Sequence, residues 1–296
     1  MVKMNRFSVV TAVVVPFLFV LSSCSEKEVT RQKASSPKVE TAQEKVSDEV
    51  TAQFVKLGFD VSDIKLIADA NPLTGGSGKK NYLLEGDIVI TPENLQAMLG
   101  SNVHRTGAVN EQYRTTNLVS GSPGRTIRVL GYNANSNALD PKMVTGLQRA
   151  VANYNGLGAT FGLRFTLSFG TNMAANDIVV YKVDGSAGGV AGFPAAGNPY
   201  KWVAIYSGTS AYDTDVNEHV ITHEIGHCLG LRHTDWFDRS LSCGSGGSEG
   251  TGDEGAIHIA GTPTGYDANS VMLSCFSSTE TGEFGNFDRI ALRSLY

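Results

Sequence analysis

Three histidines in fixed register constrain this chain of 296 residues more than any other feature. His223 and His227 are four residues apart, so both imidazoles lie on one face of a helix, about one turn from each other. Gly230 follows where that helix ends, and a glycine there adopts the left-handed conformation that turns the chain sharply. The turn brings His233 back as a third ligand of the same ion. Three protein ligands and an open fourth position predict a catalytic rather than a structural zinc site.

A glutamate directly follows the first of these histidines. From that place on a helix, the Glu224 carboxylate reaches a water at the open position of the ion without occupying a coordination position itself. A carboxylate so placed is a candidate general base for hydrolysis. His219 lies one turn before His223 on the same face, and we interpret it as a packing residue rather than a ligand.

The residues from His223 to Trp236, HEIGHCLGLRHTDW, resemble the HExxHxxGxxH signature of the metzincin zinc peptidases, and in particular the HEIGH-type metallopeptidases of bacteria. Metzincins also share a Met-turn, a tight turn whose methionine lies beneath the zinc. Met272, in the sequence Ser-Val-Met, matches it 39 residues after His233. Some relatives carry a tyrosine two residues after the methionine as a further ligand; this chain has Ser274 there, so that ligand is absent.

The resemblance extends over residues 125–296 and implies both a fold and a chemistry. The implied fold is an α+β catalytic domain with a mixed twisted sheet, a zinc-binding active-site helix and a C-terminal helix. The implied activity is that of a zinc endopeptidase, in which zinc activates a water molecule and Glu224 takes its proton. The substrate would be a protein or peptide that pairs in extended form with an edge strand near residues 188–194.

The remaining sequence pattern also favours an α+β fold. Apolar residues recur at helical spacing after Asp140-Pro141, a pair typical of a helix start, and glycines 156 and 158 end that helix. Alternating or continuous apolar runs predict strands. The predicted helices are 51–57, 92–98, 140–155, 214–230 and 286–296. The predicted strands are 81–91, 113–119, 126–130, 163–169, 177–181 and two short strands within 189–206.

The N-terminus has the pattern of a secretory signal. Two basic residues precede an apolar run over residues 7–21. The Leu-Ser-Ser-Cys that ends this run resembles the bacterial lipobox, in which a lipid is attached to the cysteine, here Cys24. An ordinary signal peptide and an uncleaved anchor are the alternatives. We therefore predict a lipoprotein signal peptide over 1–23 and a bacterial envelope protein, in the outer membrane or at the cell surface, whose membrane contact is lipidated Cys24.

The chain after the signal divides by composition into three parts. Residues 24–50 are rich in Lys, Glu, Ser, Thr and Gln, too polar to bury a core, and are predicted to form a flexible tether. Residues 51–124 hold short elements followed by a polar, glycine-containing stretch, and are predicted to be a small pro-region with its linker. Residues 125–296 are then the catalytic domain.

One segment of the predicted pro-region suggests how it acts. Residues 84–87, Leu-Glu-Gly-Asp, resemble the Phe-x-Gly-Asp segment of astacin-type propeptides, in which the aspartate ligates the zinc and displaces the catalytic water. The resemblance implies that Asp87 blocks the zinc, and Gly86 permits close approach of the backbone in a narrow cleft. A simple Gly-Asp turn is the alternative interpretation. Activation would require cleavage in the linker that follows, with Arg105 and Arg114 as candidate sites.

Three cysteines remain after Cys24, so a single disulfide must leave one of them unpaired. The envelope compartment permits disulfides. Cys243 and Cys275 flank the long loop after His233, and a bridge between them would restrain one wall of the cleft, so we favour that pair. Cys228 lies on the zinc helix and is interpreted as a small buried residue beside the metal.

Acidic residues near the motif have several interpretations. Glu249, Asp253 and Glu254, in and after the Gly/Ser run over 244–252, offer carboxylates for a calcium ion, but a flexible loop beside the cleft is the interpretation we prefer. Asp235 follows the third histidine closely and is a candidate for orienting a ligand imidazole, with a turn-forming aspartate as the alternative.

Composition excludes some classes of function. The formal net charge is −5 and no long basic run is present, so nucleic acid is not an expected partner. A single apolar segment at the N-terminus excludes a channel or transporter with several membrane spans. Two alternatives to a peptidase stay open: a surface-anchored, zinc-containing binding lipoprotein without proteolytic activity, and a zinc hydrolase that cuts an amide bond of a non-protein substrate. The intact Glu224 argues against the first.

Overall fold

The computed structural model describes residues 45–62, 64–69, 71–76, 78–100, 112–249, 256–263 and 265–296. The predicted signal peptide, Cys24 and most of the predicted tether lie outside these residues, as do Arg105, Asp253 and Glu254. Among the described helices, none combines the length and the apolar composition that crossing a bilayer requires.

Six α-helices and ten β-strands are formed by the described residues. The helices are α1 (Asp48–Lys56), α2 (Pro92–Gly100), α3 (Pro141–Asn155), α4 (Thr214–Cys228), α5 (Ser240–Cys243) and α6 (Asn286–Leu295). The strands are β1 (Lys65–Ala68), β2 (Lys80–Leu84), β3 (Ile88–Ile90), β4 (Tyr113–Arg114), β5 (Arg125–Tyr132), β6 (Leu163–Gly170), β7 (Ile178–Val183), β8 (Gly189–Val190), β9 (Trp202–Tyr206) and β10 (Ile257–His258).

A five-stranded sheet lies at the centre of the C-terminal half, which we define as residues 112–296. Its strand order is β6-β5-β7-β9-β8. The first four strands pair in parallel, and the short edge strand β8 pairs antiparallel with β9, which gives the mixed sheet of the predicted α+β fold. Strand β7 is buried from Ile178 to Tyr181 without a break. Burial on both faces explains why its sequence is a continuous apolar run rather than an alternating one.

Helices α3 and α4 cover one face of this sheet and build the main core with it. Helix α3 begins at Asp140, whose side chain accepts hydrogen bonds from the backbone N–H groups of Lys142 (3.0 Å) and Met143 (3.1 Å). Helix α4 is buried continuously from Val216 to Cys228. The histidine motif therefore lies on an interior helix, where its polar side chains face protein rather than bulk water.

The two helices approach each other most closely at Gly146 of α3. A Cβ atom at this position would lie 2.8 Å from the backbone nitrogen of Glu218 and 2.9 Å from the carbonyl carbon of Asn217, both on α4. The absence of a side chain at Gly146 thus sets the distance between α3 and the helix that carries the motif.

Residues 45–100 form a second layer, the N-terminal layer, in which helices α1 and α2 accompany the antiparallel sheet β1-β2-β3. Its core is completed by Phe193 of the C-terminal half. The other core residues are Phe54, Leu57, Phe59, Leu84, Ile88, Ile90, Leu95 and Met98. Strand β3 also lies beside the edge strand, because the N–H of Val89 donates to the carbonyl of Ala191 (2.6 Å) and the N–H of Ala191 donates to the carbonyl of Asp87 (3.0 Å). The layer and the C-terminal half therefore share one apolar core.

The prediction of a single strand over 81–91 is wrong. This segment is a hairpin in which residues 85–87 form the turn between β2 and β3. Glu85 has a φ of 58° and Gly86 a φ of 93°, and two successive residues in the left-handed region reverse the chain. The apolar runs on either side concealed the turn, because both are strong strand formers.

Residues 112–124, assigned by composition to the linker, pack on the C-terminal half. The predicted strand over 113–119 shrinks to β4, which pairs with β10 and also bridges Leu231 just after α4. Val119 belongs to the main core, and the N–H of Ser120 donates to the carbonyl of Gly197 at 2.9 Å.

Replacing Gly146 by alanine should destabilise the protein. Alanine favours a helix over glycine by about 1 kcal/mol, but overpacking against a backbone that cannot rotate away costs about 1–3 kcal/mol, so we expect a net loss of up to about 2 kcal/mol in the free energy of unfolding. Gly170→Ala is the control, because the nearest atom to its added Cβ is 4.0 Å away. Chemical denaturation measures both; equal midpoints for the two variants would contradict this account of the helix contact.

Candidate metal centre

The three motif histidines converge in the interior. The Nε2 atoms of His223 and His227, one turn apart on α4, are 2.9 Å from each other. Gly230 has a φ of 99°, the left-handed conformation predicted for it, and the chain turns there to bring His233 to the same place. The ligand atoms of the three histidines and of Asp87 all lie within 4.8 Å of one another.

Each imidazole has an acceptor at its far nitrogen. The Nδ1 atom of His223 lies 2.9 Å from the carbonyl oxygen of Val271, and that of His227 lies 2.8 Å from the carbonyl oxygen of Leu231. The Nδ1 atom of His233 lies 2.8 Å from a carboxylate oxygen of Glu249. These acceptors favour a proton on each Nδ1, so the Nε2 atoms, which face one another, are the ones that neutral rings would offer to a metal ion.

Nitrogens gathered in this way suit a shared positive charge. Two buried imidazole nitrogens at 2.9 Å repel each other if both present lone pairs, and either a proton or a metal ion between them removes the repulsion. Three neutral imidazoles with one further position are the donor set that catalytic zinc takes in proteins. The residues therefore fit a single zinc ion held by His223, His227 and His233.

Two glycines permit the tight packing around the histidines. A Cβ at Gly226 would lie 2.5 Å from the sulfur of Met272, which is fully buried against α4. A Cβ at Gly230 would lie 2.8 Å from the carbonyl oxygen of Asn117. The glycine of the HEIGH sequence thus makes room for the methionine predicted to form the Met-turn, and the residue before that methionine supplies the acceptor for His223.

Glu224 faces the same cleft as the histidines. Its side chain is buried, and its Oε2 atom has no hydrogen-bond partner among the described residues. Burial raises the pKa of Glu224, and the nearby charge of Asp87 raises it further. The edge strand passes directly against it, since a Cβ at Gly189 would lie 2.7 Å from Oε1 of Glu224. The carboxylate therefore lies between the histidines and the edge strand.

The turn of the β2–β3 hairpin places Asp87 on the histidines. Its Oδ2 atom is 3.1 Å from Nε2 of His233 and 3.7 Å from Nε2 of His223. Burial works against ionisation of Asp87, but the three imidazoles outweigh it and hold the pKa of this carboxyl well below its usual range. The segment is thus both a turn and the carrier of a carboxylate beside the metal site.

A buried charge cluster next to His233 was not predicted from the sequence. Arg232 is fully buried and forms an ion pair with Glu85 of the hairpin turn, and its Nη2 atom lies 3.6 Å from Oε2 of Glu249. The Arg232 guanidinium also lies over the ring of Phe59, 4.9 Å from its centroid. Burial raises the pKa of Glu85, and Arg232 opposes this shift. The only sequence signal was an arginine directly before the third histidine, whose partner is 147 residues away.

The hypothesis that Asp235 orients an imidazole is wrong. Its carboxylate accepts hydrogen bonds from the N–H and Oγ of Ser274, both at 2.9 Å, and from the hydroxyl of Ser242. The residue that contacts the imidazole is Glu249, which the sequence suggested only as part of a loop. Burial alone would raise the pKa of Glu249, but the attraction of His233 and of Arg232 holds it at about 2.

A disulfide closes this part of the molecule. Cys243 and Cys275, the favoured pair, are joined with an S–S distance of 2.06 Å. The N–H of Cys275 donates to Oγ of Ser242 at 3.1 Å. Cys228 is a free, fully buried thiol, as its position on α4 suggested.

A cavity of about 280 Å³ adjoins His223 and Glu224. Its lining includes His219, Val220, Tyr206, Leu273 and Phe276. Burial and the proximity of His223 lower the pKa of His219 to about 3, so its imidazole is neutral. This mostly apolar space next to Glu224 has room for a side chain of a bound ligand.

Comparisons with known proteins agree with this geometry. A profile of the family described as dual-action HEIGH metallo-peptidase matches residues 82–296, and the chain belongs to this family. It is therefore a metallopeptidase by family. The matched range begins in β2 and so includes the hairpin turn with Asp87. No curated protein matches the chain.

Three solved structures show a likeness to the chain at low sequence identity. A structure of myroilysin has 14% identity and a TM-score of 0.41, over 62% of this chain and 98% of that chain. A second myroilysin structure has 13% identity and a TM-score of 0.38, over 71% of this chain and 98% of that chain. Metalloproteinase-II from Bacteroides fragilis has 10% identity and a TM-score of 0.33, over 67% of this chain and 59% of that chain.

The ligand set predicts how metal content responds to substitution. The full-length chain should hold one zinc, and His227→Ala should lose most of it to a competing chelator, because two imidazoles bind zinc far more weakly than three. His219→Ala is the matched control, since this histidine lies on the same helix but is not one of the three proposed ligands. Elemental analysis measures both variants. One tightly held zinc in His227→Ala would show that the ligand set is wrong.

Proposed function

We propose that the protein is a zinc-dependent endopeptidase. Its precursor is tethered to the bacterial envelope and stays latent until the N-terminal layer is displaced. The observation that carries this proposal is the convergence of three imidazole Nε2 atoms beside Glu224, in a cleft bordered by the edge strand β8. Membership of a metallopeptidase family supplies the reaction class. Zinc is the metal that this donor set favours.

Hydrolysis divides between the metal and the side chain of Glu224. Zinc, when bound, polarises the scissile carbonyl and lowers the pKa of water. Glu224 would accept the proton of the attacking water and pass it to the leaving amine. Its buried position, which raises its pKa, suits a group that takes a proton and then gives it back. Ser274 occupies the position of the tyrosine found in some relatives; it lines the cleft, and its hydroxyl lies within hydrogen-bond distance of Asp235 and Glu249.

The edge strand supplies the binding surface for the substrate backbone. Ala191, directly after β8, already pairs with backbone groups of the hairpin, through the carbonyl of Asp87 and the N–H of Val89. An extended peptide would use the same N–H and carbonyl groups after the hairpin leaves. The cavity beside His219 would then receive one substrate side chain.

We propose that Asp87 keeps the precursor inactive. Its carboxylate lies 3.1 Å from Nε2 of His233 and so occupies the position where a zinc ion would present its open coordination site. The backbone on either side fills the edge-strand position that a substrate needs. One segment would therefore block both the metal and the peptide-binding edge.

Activation by cleavage is compatible with only part of the linker. At Arg114 the main chain is held on both sides: the carbonyl of Tyr113 accepts from the N–H of Arg232 (2.8 Å), and the N–H of Thr115 donates to the carbonyl of Gly230 (2.8 Å). A protease cannot bind a segment that is paired in this way without unfolding it. We therefore place the activating cut before β4, where Arg105 is the candidate that the sequence offers.

The cellular location follows from the N-terminal sequence alone. We propose that Cys24 carries a lipid and that the polar stretch between Cys24 and α1 acts as a tether that holds the precursor at the membrane. The cut before β4 leaves Cys24 on the N-terminal layer, so the precursor would be held at the outer membrane or cell surface, and the mature enzyme, which would act on proteins or peptides, would be released from the lipid when the layer leaves.

Glu224→Gln should bind zinc normally but lose turnover by about 10²–10⁴-fold, because an amide cannot accept the proton. The control is Glu218→Gln on the same helix, whose carboxylate faces Asn153 of α3 (2.8 Å) rather than the cleft. Both are assayed after linker cleavage by mass spectrometry of new peptide termini in a mixed proteome. Full activity of Glu224→Gln would remove this residue from the mechanism, and an absence of new termini with the wild type would favour the binding-protein alternative.

Asp87→Ala should raise the activity of the uncleaved chain by at least about tenfold, since losing a contact worth more than 1.4 kcal/mol shifts the closed state toward the open one by that factor. Asp60→Ala is the control, because this carboxylate of the same layer bonds Ser62 (2.8 Å) and not the histidines. A general peptide substrate measures the rate of both variants. Equal rates for Asp87→Ala and the wild-type precursor would refute the latency model.

A further inference from the structure

The three candidate ligands differ in what holds them. His223 and His227 are held by backbone carbonyl oxygens, at 2.9 and 2.8 Å. His233 is held by a carboxylate, at 2.8 Å from Oε1 of Glu249. A carbonyl and a carboxylate are both acceptors, but only the carboxylate brings a negative charge to the imidazole N–H, which makes the opposite nitrogen a stronger donor.

Several contacts hold the Glu249 carboxylate in place beside His233. Its Oε1 atom is within 3.1 Å of the Ser274 hydroxyl and 3.2 Å of Nε of Arg239, and the whole residue is 3% exposed. Its backbone N–H donates to the carbonyl of Trp236 at 2.6 Å. The carboxylate is therefore fixed through both its side chain and its main chain.

A second tier of contacts holds these anchors. The backbone N–H of Ser274 donates to Asp235 at 2.9 Å. Asp235 also accepts from the hydroxyl of Ser242, which in turn accepts from the N–H of Cys275 at 3.1 Å. Cys275 is bridged to Cys243, and Glu249 lies within the loop that this disulfide closes. The chain of contacts thus runs from the disulfide to the third ligand without a gap.

We propose that Glu249 is a positioning residue for the metal: it orients His233 through Nδ1 and strengthens this imidazole as a ligand. The proposal rests on His233 being a zinc ligand in the proposed function, but not on peptidase activity. Orientation of a ligand by a carboxylate typically changes metal affinity by about 10–100-fold.

The test uses metal binding by the full-length chain. Glu249→Ala should weaken zinc binding by about 10–100-fold in chelator competition and shift the visible absorption bands of the cobalt-substituted protein. Glu249→Gln, which keeps an acceptor oxygen but not the charge, should lose less than about tenfold and show a smaller shift. Glu280→Gln is the matched control, because this carboxylate lies 3.8 Å from Nδ1 of His219, which is not a ligand, and neither its affinity nor its spectrum should change.

Several results would overturn the proposal. One such result is that Glu249→Ala binds zinc with wild-type affinity and gives wild-type cobalt bands. If the alanine variant does not fold, the same result for Glu249→Gln would overturn the proposal. Another is a purely structural effect. In that case Glu249→Ala and Glu249→Gln would lower the unfolding midpoint of the metal-free protein equally and would bind zinc with the same affinity. His227→Ala, measured in parallel, tests the ligand set separately. A failure of the peptidase assay would leave these metal-binding results unaffected.

Discussion

Three imidazole nitrogens directed at one point are the interaction on which the C-terminal half depends. Neutral nitrogens can face each other in a protein interior only if each ring keeps its proton on the far side, and that requires an acceptor behind every ring. The acceptors are Val271, Leu231 and Glu249, which come from three separate segments of the chain. Much of the surrounding structure can be understood as the means of holding these three segments against one helix.

The same requirement explains several residues that have no chemical role of their own. Gly226 costs the helix about 1 kcal/mol relative to alanine, yet no larger residue fits over the sulfur of Met272. Gly230 accepts a conformation that other residues avoid, and its small size lets Asn117 come within contact distance. The disulfide between Cys243 and Cys275 restrains the loop that supplies the third acceptor. The backbone geometry at the site is thus determined by the packing of residues that contact the ligands but do not themselves bind the metal.

The site could be predicted from sequence where it is local and not where it depends on distant contacts. Helical spacing and one glycine were sufficient to place His223, His227 and His233, because all three lie within 11 residues. Glu249 lies in a Gly/Ser-rich loop with no periodicity, so nothing in the sequence distinguished it from Asp235. The pairing of Glu85 with Arg232 could not be inferred, since only the folded chain brings residues so far apart in sequence together. The hairpin over 80–90 was missed for a different reason: its turn residues lie between two apolar runs that each favour a strand.

The apolar core shared by the two halves has a thermodynamic consequence. Phe193 lies beside the ring of His227 and, on its other side, is stacked against Phe59 of the N-terminal layer. Side chains that are buried from both directions couple the stabilities of the parts they join, so the uncut chain is expected to melt cooperatively across the boundary. A cut in the linker breaks one covalent bond but leaves every one of these apolar contacts in place. Separation of the pieces then becomes a dissociation governed by concentration and affinity, and dilution or digestion of the freed layer, rather than the cut itself, would set how completely the cleft opens.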